Sequence, residues 1–212
     1  MRPYYDSGGI TIYHGDCLEA LPEIRGDVVV TDPPYGMSYR SGWTGRSVVG
    51  DRTVRVRDAA LALWEGPALV FGRWDCPRPP GVLERLIWDK GEWPGMGDLS
   101  LPWGRSDEEV YVIGRGWSGT RSGTILRCHR RHGASLVHPS EKPRELLELL
   151  IAKCPRGVVV DPFMGSGTTL LAARECHRRA IGIEIEERYC EIAAKRLAQG
   201  VLWGPNGESA VS

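Results

Sequence analysis

Two segments carry residue types whose spacing suits chemistry. In Gly157-Val158-Val159-Val160-Asp161-Pro162-Phe163-Met164-Gly165-Ser166-Gly167-Thr168-Thr169, a β-branched run passes into a glycine-rich turn and then a helical pattern. That order brings backbone amides and a helix N-terminus to the carboxyl edge of a strand, a place that holds nucleotide-like ligands. A phosphate-binding loop needs Lys after its last glycine, and Thr168 stands there; a dinucleotide fingerprint needs a third glycine, and Leu170 stands there. Glu184, at the tip of the next expected strand, has about the spacing of a carboxylate that grips ribose hydroxyls. Asp161 is a poor neighbour for a pyrophosphate and a good one for the ammonium group of an amino acid. A ribose at one end and an amino acid at the other describe S-adenosylmethionine.

The second segment is Asp27-Val28-Val29-Val30-Thr31-Asp32-Pro33-Pro34-Tyr35. Prolines cannot continue a central strand, so they end it and leave Asp32 and Tyr35 at the carboxyl edge of the sheet. Methylation of an exocyclic amino nitrogen gives these residues work. The amino lone pair of adenine or cytosine is delocalised into the ring. If Asp32 and the Pro33 carbonyl accept both amino hydrogens, the pyramidal form is favoured and its lone pair points at the donor methyl. Tyr35 can then stack on a base swung out of the duplex. Methylation at a ring carbon needs a cysteine nucleophile instead, and no cysteine follows a proline in this chain. Taken singly, the glycine turn reads as a strand-helix junction and the proline pair as a capped turn.

The elements that position these turns are legible as alternating apolar runs and helical patterns, an α/β sheet covered on both faces. Strands are expected at residues 10–14, 27–31, 67–71, 85–89, 109–113, 157–161 and 180–185. Pro143 stands at a first helical position, with Leu146, Leu147, Leu150 and Ile151 recurring at helical spacing up to Cys154-Pro155. Further helices are expected from Thr168 to about Arg179 and from about Glu187 to Leu197. Seven of the eight tryptophans lie between Trp43 and Trp117 among Gly and Pro, as in insertion loops on a scaffold. Trp43, Trp93 and Trp103 are candidates for DNA contact. The tail after Gly200 is expected to fray.

Composition sets the outer limits. The 212 residues, 42% hydrophobic and 25% charged, fit one domain with a sizeable core. No apolar run suits a membrane span or signal peptide, so the expected location is cytoplasmic. Six well-separated cysteines give no metal or disulfide framework. Cys128-His129 with His132 reads as a basic hairpin rather than a metal site. Lys plus Arg and Asp plus Glu are 27 each, yet the charge is uneven. No acid lies between Glu109 and Glu141, where Arg115, Arg121, Arg127, Arg130 and Arg131 fall, and residues 36–57 hold five arginines, Arg40 and Arg46 among them, against Asp51. Such segments suit a localised phosphate-contacting face, or else solvated loops.

With those motifs assembled, the sequence resembles the amino-methylating DNA methyltransferases. Asp32-Pro33-Pro34-Tyr35 resembles their catalytic motif and Asp161 to Thr168 their cofactor motif. His138-Pro139-Ser140-Glu141-Lys142-Pro143 is similar to a third motif, Ile181-Gly182-Ile183-Glu184 with Tyr189-Cys190 to the second cofactor strand, and Gly15-Asp16-Cys17 to an element near the cofactor adenine. The order, catalytic motif first, is that of the β-type members. The resemblance implies a Rossmann-like fold, a seven-stranded mixed sheet with one antiparallel strand, residues 10–14 at its edge. It implies Asp32, Pro33, Pro34 and Tyr35 as catalytic residues. It implies Asp16, Cys17, Ser140, Lys142, Asp161, Phe163, Gly165, Gly167, Thr168 and Glu184 as S-adenosylmethionine contacts, Ser140 and Lys142 toward its amino acid end. Arg40, Arg46, Arg121, Arg127 and Arg130 are the candidate DNA contacts. An Asp heading the catalytic motif favours adenine N6. Cytosine N4 methylation is the alternative, as is a catalytically silent DNA-binding protein. The parts would be residues 10–35 (catalytic), 36–137 (insertion loops, remaining strands, reduced target recognition) and 138–200 (cofactor). So short a middle resembles phage or prophage enzymes, with specificity short, relaxed or completed by a second copy in a homodimer.

Overall fold

Val28, Val29 and Val30 are all fully buried, Val28 and Val30 in one apolar cluster and Val29 in another. Consecutive strand residues point to opposite faces, so a continuous valine run is buried only where both faces are covered. A computed structural model describes residues 1–36, 53–91, 100–128 and 142–201 of the chain. Its elements are β1 (Tyr5–Ser7), β2 (Ile10–His14), α1 (Cys17–Ala20), β3 (Val28–Thr31), α2 (Arg55–Ala62), β4 (Ala68–Gly72), β5 (Val82–Asp89), β6 (Asp107–Ile113), β7 (Ile125–Arg127), α3 (Arg144–Ile151), β8 (Val159–Asp161), α4 (Thr168–Glu175), β9 (Ala180–Glu184) and α5 (Glu187–Val201).

These strands form one mixed sheet in the order β1-β2-β9-β8-β3-β4-β6-β5-β7. All seven expected strands are present. The sheet has nine strands rather than seven, because three-residue strands add at each end: β1 pairs antiparallel with β2, and β7 parallel with β5. Residues 10–14 are therefore not at the edge. Within the inner seven, β6 is the one antiparallel strand, set between β4 and β5.

Helices α3, α4 and α5 cover one face through Leu146, Leu150, Ile151, Leu170, Ala173, Ala193 and Leu197. Cys17 and Ala20 of α1 and Ala60 of α2 cover the other. Each fully buried Leu or Ile contributes about 1.5–3 kcal/mol relative to exposure. Pro143, at φ −57°, caps α3 rather than opening it. Helix α4 stops four residues short of Arg179. The amide of Arg178 donates to the Ala173 carbonyl and that of His177 to Arg174, while His177 turns left-handed at φ 53°, the geometry of a Schellman stop. Helix α5 runs on past Leu197 to Val201.

Candidate active site

Strands β3 and β8 lie side by side and parallel, Val28 opposite Val159 and Val29 opposite Val160. The chain leaves β3 through α2 toward β4 and leaves β8 through α4 toward β9, in opposite directions across the sheet and over opposite faces. That divergence opens a crevice at the carboxyl ends of the two strands, the place where such sheets bind ligands. The turns containing Asp32 and Asp161 start there together, and the Thr31 hydroxyl donates to Asp161 Oδ1 at 2.7 Å across the pair. Strand β9 adds Glu184 and β2 adds Asp16 along the same edge, His14 standing opposite Glu184.

In the turn after β8, Gly165 (φ +50°) and Gly167 (φ +82°) take the left-handed backbone that glycine adopts without strain. A Cβ on Gly167 would sit 2.8 Å from Ala193 Cβ, so α5 closes that side, whereas a Cβ on Gly165 would meet nothing within 4 Å. Asp161 is 2% exposed, and among the described residues no basic side chain pairs with it. Burial pushes its carboxyl up to about 6, against hydrogen bonds from Thr31 and Thr169 that oppose the rise. Glu184 accepts from the Gly165 amide at 3.0 Å and the Glu186 amide at 2.8 Å, and burial holds its carboxyl above the ordinary value despite these bonds. Phe163 is half-buried beside the turn and its amide donates to Asp161. Thr168 is buried at the start of α4. A buried carboxyl lacking a cation, an open glycine face and a second carboxylate one strand away fit the ammonium and ribose ends of S-adenosylmethionine.

At the turn after β3, Pro33 is buried and Asp32 half-buried. The Tyr35 hydroxyl donates to Asp32 Oδ1 at 2.5 Å, and Lys142 Nζ donates to Asp32 Oδ2 at 2.6 Å. Burial and the adjacent Asp32 and Glu108 carboxylates push the Tyr35 hydroxyl well above its usual range. Lys142 is buried just before α3; desolvation pulls its ammonium down, and Asp32 and Glu108 more than offset it. Lys142 thus reaches the Asp32 side of the crevice. Glu108, which no motif singles out, is the missed member of this cluster. The available signal was parity: Glu108 shares a strand face with Val110 and Val112, an acid where the alternation calls for an apolar side chain.

Asp16 caps α1, accepting from the Leu18 amide at 2.8 Å. Cys17 beside it is buried, and burial and Asp16 push its thiol up to about 12, so it carries no thiolate. Arg121 and Arg127 are exposed; Arg127, at the carboxyl end of β7, lies 3.6 Å from Asp89. Trp103 is exposed. Ser140, Arg40, Arg46, Arg130, Trp43 and Trp93 lie outside the described residues.

Comparison with known proteins places this arrangement. The family described as DNA methylase, of the N6/N4 type, matches residues 74–195, more than half of the chain. That span includes the glycine turn and Lys142 but not Asp32. The type II methyltransferase M2.DpnII of Streptococcus pneumoniae is 48% identical, covering 92% of each chain. The type II methyltransferase M.ScaI of Streptomyces caespitosus is 27% identical over 92% of this chain and 84% of its own. In fold, the chain is similar to the cytosine-N4-specific PvuII DNA methyltransferase (TM-score 0.72, 17% identity, 98% of this chain and 91% of that one) and to M1.HpyAVI in complex with SAM (TM-score 0.65, 24% identity, 88% and 99%). The chain belongs to the N6/N4 DNA methylase family, the S-adenosylmethionine-dependent enzymes that methylate adenine or cytosine amino groups in DNA.

Proposed function

We propose that this methyltransferase acts on adenine N6, with Asp32, Pro33, Pro34 and Tyr35 as the reacting turn. The observation that carries the reading is the adjacency of that turn and the glycine turn on neighbouring parallel strands, joined by the Thr31–Asp161 hydrogen bond. S-adenosylmethionine, when bound, supplies an electrophilic methyl group on a sulfonium. Asp161 takes its ammonium, Glu184 its ribose hydroxyls, and Gly165 leaves room for the backbone to approach; Asp16, Cys17, Phe163 and Thr168 line the same edge. An extruded base enters beside Asp32, its amino group replacing the Tyr35 hydroxyl at Oδ1 while Lys142 keeps Oδ2. The Pro33 carbonyl accepts the second amino hydrogen, and the freed Tyr35 ring stacks on the base. The cofactor would supply its methyl group to that amino lone pair, and Asp32 would pass the surplus amino proton to solvent.

Asp at the head of the turn supports adenine, and the fold similarity to the cytosine-N4-specific PvuII enzyme keeps N4-methylcytosine as the second reading. The deciding experiment incubates the protein with duplex DNA and methyl-labelled cofactor and identifies the modified nucleoside. The reading expects N6-methyladenine; label in N4-methylcytosine establishes the alternative, and no label with cofactor bound would falsify both.

A further inference from the structure

We infer that Glu108 is a positioning residue for methyl transfer, acting through Lys142 on Asp32; the inference rests on the role proposed for Asp32. Glu108 enters β6 opposite Trp88 of β5, on the sheet face that also packs α3. Its side chain is 17% exposed and lies between two ammonium groups, Lys90 Nζ at 2.7 Å from Oε1 and Lys142 Nζ at 3.1 Å from Oε2. Lys142 meets Oε2 as an ion pair. Burial favours the neutral acid, yet the two lysines outweigh it and keep the Glu108 carboxyl below its ordinary range. The charges alternate along Lys90, Glu108, Lys142 and Asp32, and the Tyr35 hydroxyl sits at the far end.

Lysine is a flexible stem with a point charge, and by itself holds no fixed direction. Here the ammonium has four neighbours. Asp32 lies at 2.6 Å, the Tyr35 hydroxyl at 3.4 Å, and the Phe71 ring centroid at 5.1 Å. Glu108 is the second negative charge on it. With Glu108 neutral, a buried ammonium would face Asp32 alone while Lys90 repelled it. Lys142 would then leave Oδ2 or give up its proton, and Asp32 would lose the partner that sets the plane of its carboxylate toward the base.

The test compares Glu108→Gln, Glu108→Asp and the double variant Lys90→Gln/Glu108→Gln with the unmodified enzyme. Glu108→Gln is expected to lower kcat roughly tenfold to a hundredfold, the scale of a small misplacement of a reacting group. KM for cofactor and DNA should stay within about twofold, since neither is placed against Glu108. Its alkaline loss of activity should begin at lower pH, because Lys142 with one carboxylate fewer gives up its proton sooner. Glu108→Asp, which keeps the charge, should recover most of the rate. The double variant removes one charge of each sign and restores neutrality, so a residue that merely balanced buried charge would be rescued by it. Recovery of full kcat there, or an unchanged pH profile in Glu108→Gln, overturns the inference. The titration of Lys142, followed by NMR of lysine labelled at its ε-carbon, needs no turnover. It should move down in Glu108→Gln, and an unmoved titration overturns the inference even if the unmodified enzyme proved to methylate nothing, the result that would instead remove the proposed function.

Discussion

Asp32 holds both of its oxygens occupied without substrate, one by Tyr35 and one by Lys142. In the proposed reaction an entering base exchanges one hydrogen bond for another rather than stripping water from a hydrated carboxylate, which limits the desolvation cost of binding. Tyr35 accordingly has two separable parts. Tyr35→Phe removes only the resting bond and is expected to keep activity within about tenfold, whereas Tyr35→Ala also removes a stacking face worth roughly 1–3 kcal/mol. Steady-state kinetics on both variants check this, and equal losses would assign the role to the hydroxyl. Asp161 gives a pH prediction. Its folded carboxyl is raised from an ordinary 3.8 to about 6, burial being the main cause, so the fold favours the protonated form and loses this contribution as pH rises through that window. A bound ammonium favours the ionised form. Cofactor affinity should therefore strengthen as pH rises through about 6, with a proton released on binding. Titration calorimetry in buffers of different ionisation enthalpy measures that proton, and Asp161→Asn should abolish its release.

At the scale of elements, the two glycines of the turn after β8 differ in what surrounds them. Gly167→Ala would press a Cβ against Ala193 of α5 at 2.8 Å and should lower stability by about 1–3 kcal/mol. Gly165→Ala meets no protein atom within 4 Å and should cost only about 1 kcal/mol of left-handed strain, its effect falling on cofactor affinity. Thermal unfolding with and without S-adenosylmethionine separates the two, and identical behaviour would show that Gly165 does not face the cofactor. These elements were largely legible beforehand because their signals are local: the valine runs of β3 and β8, the leucines of α3 at helical spacing, the prolines that stop β3. What escaped had a weak or masked local signal, or none. Strand β1, Tyr5-Asp6-Ser7, is polar and three residues long, and only pairing with β2 makes it a strand. Helix α1 is four residues long and held by the Asp16 cap, and α2 carries the buried Arg57 on its packing side, which masks the apolar pattern. Glu108 belongs to the site only because β6 runs antiparallel and so brings its first residues to the edge where β3 and β5 end.

For the whole molecule, the sheet order decides what can react with what. The β3–β8 junction, where the chain departs in opposite directions, gathers Asp32 at one edge with Lys142 and Asp161, each more than a hundred positions further along the chain. Arg127 ends β7 at that same edge with its side chain exposed, which places a cation there that a phosphate can reach despite the zero net charge. Arg121→Ala and Arg127→Ala should each weaken DNA binding, and for every phosphate no longer neutralised the log–log salt dependence should flatten by about 0.9. An unchanged slope would return that arginine to ordinary solvated surface. No helix among the described residues is long and apolar enough to cross a membrane.

In the proposed reaction labour is divided across that junction: one turn prepares the amino group, its neighbour holds the cofactor. Single-turnover methyl transfer by Asp32→Ala, measured beside its cofactor affinity, tests this most directly. The expected result is a rate lowered roughly a hundredfold to ten-thousandfold, the range for a lost proton-accepting group, with S-adenosylmethionine bound within about threefold of normal. Rate and affinity falling together would make Asp32 a support of the cofactor pocket and contradict the division.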